Sequence, residues 1–415
     1  MNQTNTRRNK FIVFLVIFVG IALVQFTELR YIWGIKDISM FYNICFILIL
    51  SLYIVFNICV QRFSNNVWVY YILPGLLVFI GYFANITINV LRDQSLAIYF
   101  GSLIPWLTYL SVPFLLKDNI INTKNLLRYY YYLTLLITTF GIFEYFLYFN
   151  GFINLQVLNH PNGVFLSGWF SILHMLENGV GHYRFYASIG EAGNLAMILI
   201  PSLIYSIVYK RYLGGSILSL GIYLTDSLGA LISITIGVFL LLILLYRKYK
   251  YSIFTLILSI VLILSVIVIN LGNIYYMYEH KYDSRKVREA QIVNTISNLP
   301  SMLVNNPLGF DFSTNYSENT NKHYYGANFM PLNSFYGGGL SALIGYLIII
   351  TVFFFTSLSC FYRKKISRED IIFSVSIIVL LPFIVQRSAI LETSMLILVL
   401  SPFVIKSLGI YSKNI

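Results

Sequence analysis

The chain has 415 residues, of which 58% are hydrophobic and 11% charged, against roughly 25% charged residues in a soluble domain. That excludes a water-soluble enzyme, whose surface would need far more charge. It also excludes intrinsic disorder, because disordered chains are polar and poor in aromatics, whereas 17% of these residues are Phe, Trp or Tyr. The net charge of +12 falls in small groups between apolar runs rather than on one face or arm. Such spacing argues against a nucleic-acid partner and marks the loops of an all-α polytopic protein in a lipid bilayer.

A spanning helix needs about 20 apolar residues. On that basis the sequence predicts about twelve spans, near 11–27, 38–60, 67–90, 95–116, 129–150, 192–209, 212–226, 228–246, 251–272, 334–358, 371–386 and 389–405, in one transmembrane domain over 1–415. The seventh and eighth are cramped around Thr225-Asp226-Ser227. Arg7-Arg8-Asn9-Lys10 and the apolar run after it imitate a signal peptide, but no small-residue cleavage site follows before Glu28, so a retained first span is expected. Cys45, Cys59 and Cys360 lie in or beside apolar runs and read as core residues.

With both termini cytoplasmic, 18 of the 28 Lys and Arg fall inside. Five of the ten outside fall in one loop, about 273–333, whose length weakens the positive-inside rule. That loop and the one at 151–191 are both rich in Asn, Gly and Tyr, and both are expected on the outer face. Within the longer loop, Val287, Ala290, Val293, Ile296 and Leu303 recur at helical spacing. They predict an amphipathic helix over 283–304 lying on the bundle, with Arg285 and Arg288 in its first turns.

The middle of most spans is free of charge. Glu144, Asp226, Arg387 and Glu392 are the exceptions, and all but Glu392 fall near the outer surface. A solute pathway would place ionisable groups mid-span; this pattern instead suits chemistry at the level of lipid headgroups. The segment from Gly181 to Ala196 places His182, Arg184, Glu191 and Asn194 at the outer mouth of the sixth span. An Arg there is a permanent, bidentate cation suited to a pyrophosphate; the alternative is an ion pair between Arg184 and Glu191.

These residues carry a resemblance. Arg184-x6-Glu191-x2-Asn194-x-Ala196 resembles the Arg…Glu-Pro-Asn-x-x-Ala segment of the O-antigen polymerase and ligase superfamily. Leu224-Thr225-Asp226-Ser227-Leu228-Gly229-Ala230-Leu231 is similar to its Leu-Thr-x-Ser-Arg-Gly-Ala-Leu element. Asn306-Pro307-Leu308-Gly309-Phe310 is similar to its Pro-Leu-x-Gly-x-Gly turn, and Leu332-Asn333-Ser334-Phe335 with Gly337-Gly338-Gly339 to its His-Asn-Ser…Gly stretch. The four follow in the same order across roughly 140–350. Ala192 replaces a Pro, Leu228 an Arg, and Leu332 the His that ligases use, which favours a polymerase of the Wzy type.

The resemblance implies a fold like GT-C glycosyltransferases, in a bacterial cytoplasmic membrane with the active site facing the periplasm. It implies an undecaprenyl-pyrophosphate-linked glycan as substrate and a chain-length regulator as a possible partner. No Asp-x-Asp or His/carboxylate cluster in the sequence reads as a metal site, so arginine is expected in its place, and no cofactor. Arg184 with Arg285 or Arg288 would hold the pyrophosphate; Glu191, then His323, would be the base; Asn194 and Asn333 would contact substrate. His182 and His323 read equally as loop surface. Glu144 either faces the cavity or is hydrogen-bonded within the bundle, and Arg387 is either a third cation or a headgroup contact. A ligase moving the finished glycan, or a flippase or transporter of the lipid-linked sugar, are the alternatives.

Overall fold

The computed structural model describes residues 10–90 apart from 11, 16 and 23–27; 102–249 apart from 161–162, 178–179, 183–184, 190–191 and 226; 293–309 apart from 294, 295 and 298; 330–386 apart from 364; and 394–409. The helices are α1 Lys36–Val60, α2 Leu73–Val90, α3 Leu103–Lys117, α4 Thr123–Phe149, α5 Ala192–Val208, α6 Tyr212–Leu224, α7 Leu228–Tyr249, α8 Met330–Ser359, α9 Arg368–Gln386 and α10 Ser394–Leu408. A π-helical turn, Trp68–Ile72, leads into α2 and its Pro74.

Among the described residues, five stretches are long and apolar enough to cross a membrane: Phe41–Val60, Asn65–Ile88, Thr123–Phe149, Gly229–Lys248 and Asn333–Tyr362. Every other expected span also coincides with a helix in whole or part, except 251–272, which lies outside the described residues. Residues 12–22 are helical where described.

Burial separates two kinds of helix. On α1, Ile38, Phe41, Ile44, Leu48, Leu52, Val55 and Phe56 are 45–70% exposed. A helix apolar on its outward face needs an apolar solvent, here lipid. The 15-residue helices α3 and α10 are instead buried over 103–116 and 394–405. They form the centre of the bundle, where Tyr71 stacks on Tyr109 at 4.1 Å and Trp106 meets Tyr346 edge-on at 6.3 Å.

Polar contacts sort to the two ends as the alternation of spans requires. At one end Asp118 accepts from Tyr53 Oη (2.7 Å), Gln61 Nε2 (2.8 Å) and, at its main-chain oxygen, Lys10 Nζ (2.6 Å). At that end, too, Lys406 Nζ reaches Thr123 Oγ1 (2.7 Å), Lys248 Nζ the Ile366 carbonyl (2.8 Å) and Tyr209 Oη the Glu369 carboxylate (2.7 Å). These are the segments expected to be cytoplasmic. The opposite end gathers the two long loops.

There the structure departs from an all-α chain. The loop at 151–191 holds a four-stranded antiparallel meander in the order β1 Gln156–His160, β2 Gly163–Ser167, β3 Ile172–Glu177, β4 Val180–His182. Leu158 opposite Phe165, with Ile172 and Tyr186, forms its core, covered by Tyr31 and Ile32 of a short helix, Leu29–Ile32. The sequence signal is present: short apolar runs are separated by Pro161-Asn162-Gly163, Ser167-Gly168 and Asn178-Gly179, the last a strong hairpin dipeptide.

The separation of ends predicts a labelling pattern. In a Cys45→Ser, Cys59→Ser, Cys360→Ser background, a cysteine at Val164 in β2 will react with a membrane-impermeant maleimide on intact spheroplasts. One at Leu213, 80% exposed at the other end, will react only after lysis. Labelling of both on intact spheroplasts would refute the topology.

Candidate functional site

The segment Phe185–Ile189 joins the meander to α5, and all five residues are buried. Phe185 N–H donates to the Leu224 carbonyl at the end of α6 (3.1 Å), and Ile172 N–H donates to the Ala187 carbonyl (2.6 Å). On the α4 side Gly141 leaves room, since a Cβ there would stand 2.9 Å from Ala187 Cβ and from the Phe185 ring. Ala187 has φ 46°, a left-handed conformation costing a non-glycine residue about 1–2 kcal/mol. Such strain persists only where surroundings over-determine it, commonly at ligand sites.

Three buried polar atoms line this route without a hydrogen-bond partner among the described residues: Ser171 Oγ, Ser188 Oγ and the Asn194 side-chain carbonyl oxygen near the start of α5. Orphaned polar atoms are uncommon in native interiors and call for an explanation; a polar ligand supplies one. The Ser188 carbonyl accepts from Glu28 N–H (2.6 Å). That contact brings in Arg30, 4.0 Å from the Glu28 carboxylate and 5.0 Å over the Tyr31 ring. Sequence reasoning passed over Arg30; its position just after the first span was the available signal.

Of the expected site residues, Glu144 is 1% exposed, and its carboxylate accepts from Trp169 N–H (2.8 Å) and from Phe170 N–H (3.0 and 3.2 Å). Gly168 allows the approach, because a Cβ would stand 2.8 Å from Glu144 Oε2. The carboxylate thus holds the β2–β3 turn against α4.

The second long loop meets the bundle at a broken helix. Residues 299–305 are helical, and Leu299, Met302 and Leu303 pack against Phe335, Tyr336 and Leu343. Val293 and Ile296, expected on the packed stripe, are instead 63% and 55% exposed. After this helix the Asn306–Gly309 turn inserts into α8 where Gly339 leaves helical geometry (φ 67°, ψ −161°). Leu340 N–H donates to the Pro307 carbonyl (2.8 Å), and Asn85 Nδ2 of α2 donates to the Leu308 carbonyl (2.9 Å). Gly309 (φ 93°) lies so close that a Cβ would stand 2.6 Å from the Tyr336 carbonyl. Close packing of α2 on α8, with Gly81 against Gly338, is the small-residue approach typical of membrane helices.

Of the expected site residues, Asn194 stands beside the buried segment, and Asn333 is partly buried in α8 before the break. His182 ends β4 opposite Met175, in a strand rather than an irregular loop. Arg184, Glu191, Arg285, Arg288, His323 and Arg387 lie outside the described residues, as do Asp226 and Glu392. No family model matches the chain, and no curated protein or solved structure is significantly similar to it.

Two substitutions test this architecture. Glu144→Ala removes the acceptor of two main-chain amides, a loss of roughly 1–3 kcal/mol; limited proteolysis should cut within 156–182 faster than in the parent, and unchanged cleavage would refute the anchor. Gly339→Ala forces a side chain into a positive-φ position 2.6 Å from Leu308 Cα. It should lower the melting temperature of the detergent-solubilised protein, whereas Gly229→Ala in α7, where a Cβ would meet nothing nearer than 3.7 Å, should leave it unchanged; equal melting temperatures for the two variants would refute the strain at the break.

Proposed function

We propose that this protein polymerises undecaprenyl-pyrophosphate-linked oligosaccharide repeat units into an O-antigen or capsule-type polysaccharide at the outer face of the bacterial cytoplasmic membrane. The observation that carries the reading is the pairing of the four elements similar to the polymerase and ligase superfamily. The first touches the second through Phe185 and Leu224, and the third interlocks with the fourth through Pro307 and Leu340. Both pairs form at the end of the bundle that carries the meander, and Ser188 Oγ within the first element and the Asn194 side-chain oxygen have no hydrogen-bond partner among the described residues.

In this reading the hydroxyl of an incoming lipid-linked unit attacks the anomeric carbon of the growing chain. The bond from that carbon to the pyrophosphate oxygen breaks, the proton passes to Glu191, and the lipid pyrophosphate departs. Arg184, with Arg285 or Arg288, offsets the charge that builds on the leaving group, the term that usually contributes most to such catalysis. Arg30 is a further cation within reach of the same segment. Asn194 offers a free carbonyl oxygen to a sugar hydroxyl.

Purified protein mixed with a defined lipid-linked repeat unit should yield a ladder on a gel. Arg184→Ala and Arg184→Lys should each cut its formation about a hundredfold or more, because a point charge does not replace a bidentate fork. Glu191→Gln should retain the lipid-linked donor while losing turnover. A normal ladder from well-expressed Arg184 variants would overturn the assignment, and long chains left on lipid in a deletion strain would favour the ligase.

A further inference from the structure

We infer that the β2–β3 turn is a membrane-inserted tip, carrying Trp169 and Phe170 into the outer leaflet beside α4 rather than standing in water. Depth along α4 is the first ground. About 20 helical residues span a hydrocarbon layer of ~30 Å, and counting from Arg128 puts its outer boundary near Phe149, the last residue of α4. The turn is held by Glu144, five residues earlier, and Phe170 packs against Phe140 at 5.4 Å between ring centroids. At about 1.5 Å per residue the anchor lies roughly 7 Å inside that boundary.

The composition of the hairpin agrees. No Asp, Glu, Lys or Arg occurs from Gly163 to Leu176. Near the turn, the face away from the sheet core carries Val157, 67% exposed, opposite Leu166, with His174 the one polar residue across the register from Leu166. A half-solvated antiparallel sheet would be polar on that face. The register puts Asn159, His160 and Glu177 at the other end of the sheet. Trp169 and Phe170 are 60% and 40% exposed, and they continue the exposed stripe of Phe140, Phe143 and Phe146 on α4.

The backbone of the turn is equipped for a dry setting, where an unpaired amide costs several kcal/mol. Gly168 N–H donates to the Ser171 carbonyl (2.9 Å), Trp169 and Phe170 N–H donate to Glu144, and the Trp169 carbonyl accepts from Trp33 Nε1 (2.9 Å). The partner surface is thus the upper acyl region of the outer leaflet, and this inference is independent of the reaction proposed above.

The test uses the full chain in nanodiscs, in the cysteine-free background, with bimane attached at Trp169→Cys and, in separate variants, at Phe170→Cys and Val164→Cys. Bimane at 169 or 170 should lose most of its emission when the lipids are brominated on the upper half of the acyl chain and should resist aqueous iodide. Bimane at 164, near the other end of β2, should show the reverse. Iodide quenching at 169 and 170 without bromolipid quenching would overturn the inference, as would insensitivity of both positions to either quencher. Equal bromolipid quenching at all three positions would also overturn it, because the sheet would then lie flat on the membrane.

Discussion

A turn laid against the side of a membrane helix cannot leave its amide hydrogens to water, and the Glu144 carboxylate answers that constraint. By accepting from Trp169 and Phe170 it ties the meander to α4. The sheet is joined in turn to the buried segment Phe185–Ile189, where Ile172 N–H donates to the Ala187 carbonyl. Remove the carboxylate, and the hairpin tip loses its hold on α4. A buried polar group is costly unless hydrogen-bonded; here the two amides supply the bonds, so the carboxyl group and the turn stabilise each other.

A second constraint acts on the other side of the outer face. A broken helix frees backbone groups that lipid cannot satisfy. In α8 the break at Gly339 is matched by the Pro307 carbonyl, and the Leu308 carbonyl is matched by Asn85. The loop that follows the expected ninth span is thus stitched to two helices distant in sequence. Its turn fits because Gly309 and Gly339 both adopt positive φ and have no side chain to hold the strands of backbone apart.

The opposite end is built differently. Lysines, a half-buried aspartate and tyrosine hydroxyls bond from segment to segment, closing the bundle with charge. The end that carries the meander is closed with main-chain hydrogen bonds and aromatic rings, and the buried polar atoms of Ser171, Ser188 and Asn194 have no hydrogen-bond partner among the described residues.

Much of this is legible in the residues alone. Apolar run length sets the helices, because lipid demands continuous apolar stretches, and the distribution of Lys and Arg separates the two ends without reference to any contact. The four elements resembling a superfamily can be read in order, but not their pairing. Phe185 with Leu224, and Pro307 with Leu340, are joined by main-chain hydrogen bonds, which carry no side-chain signature. The meander is marked in the sequence only by its turn dipeptides between short apolar runs, because Val157 and Leu166 on its outward face weaken the alternation that usually betrays a strand. Glu144 meets the turn amides only on folding. Solvent preference is local to each residue and so is written in composition; which backbone groups satisfy one another depends on segments far apart in the chain, and only the assembled bundle decides it.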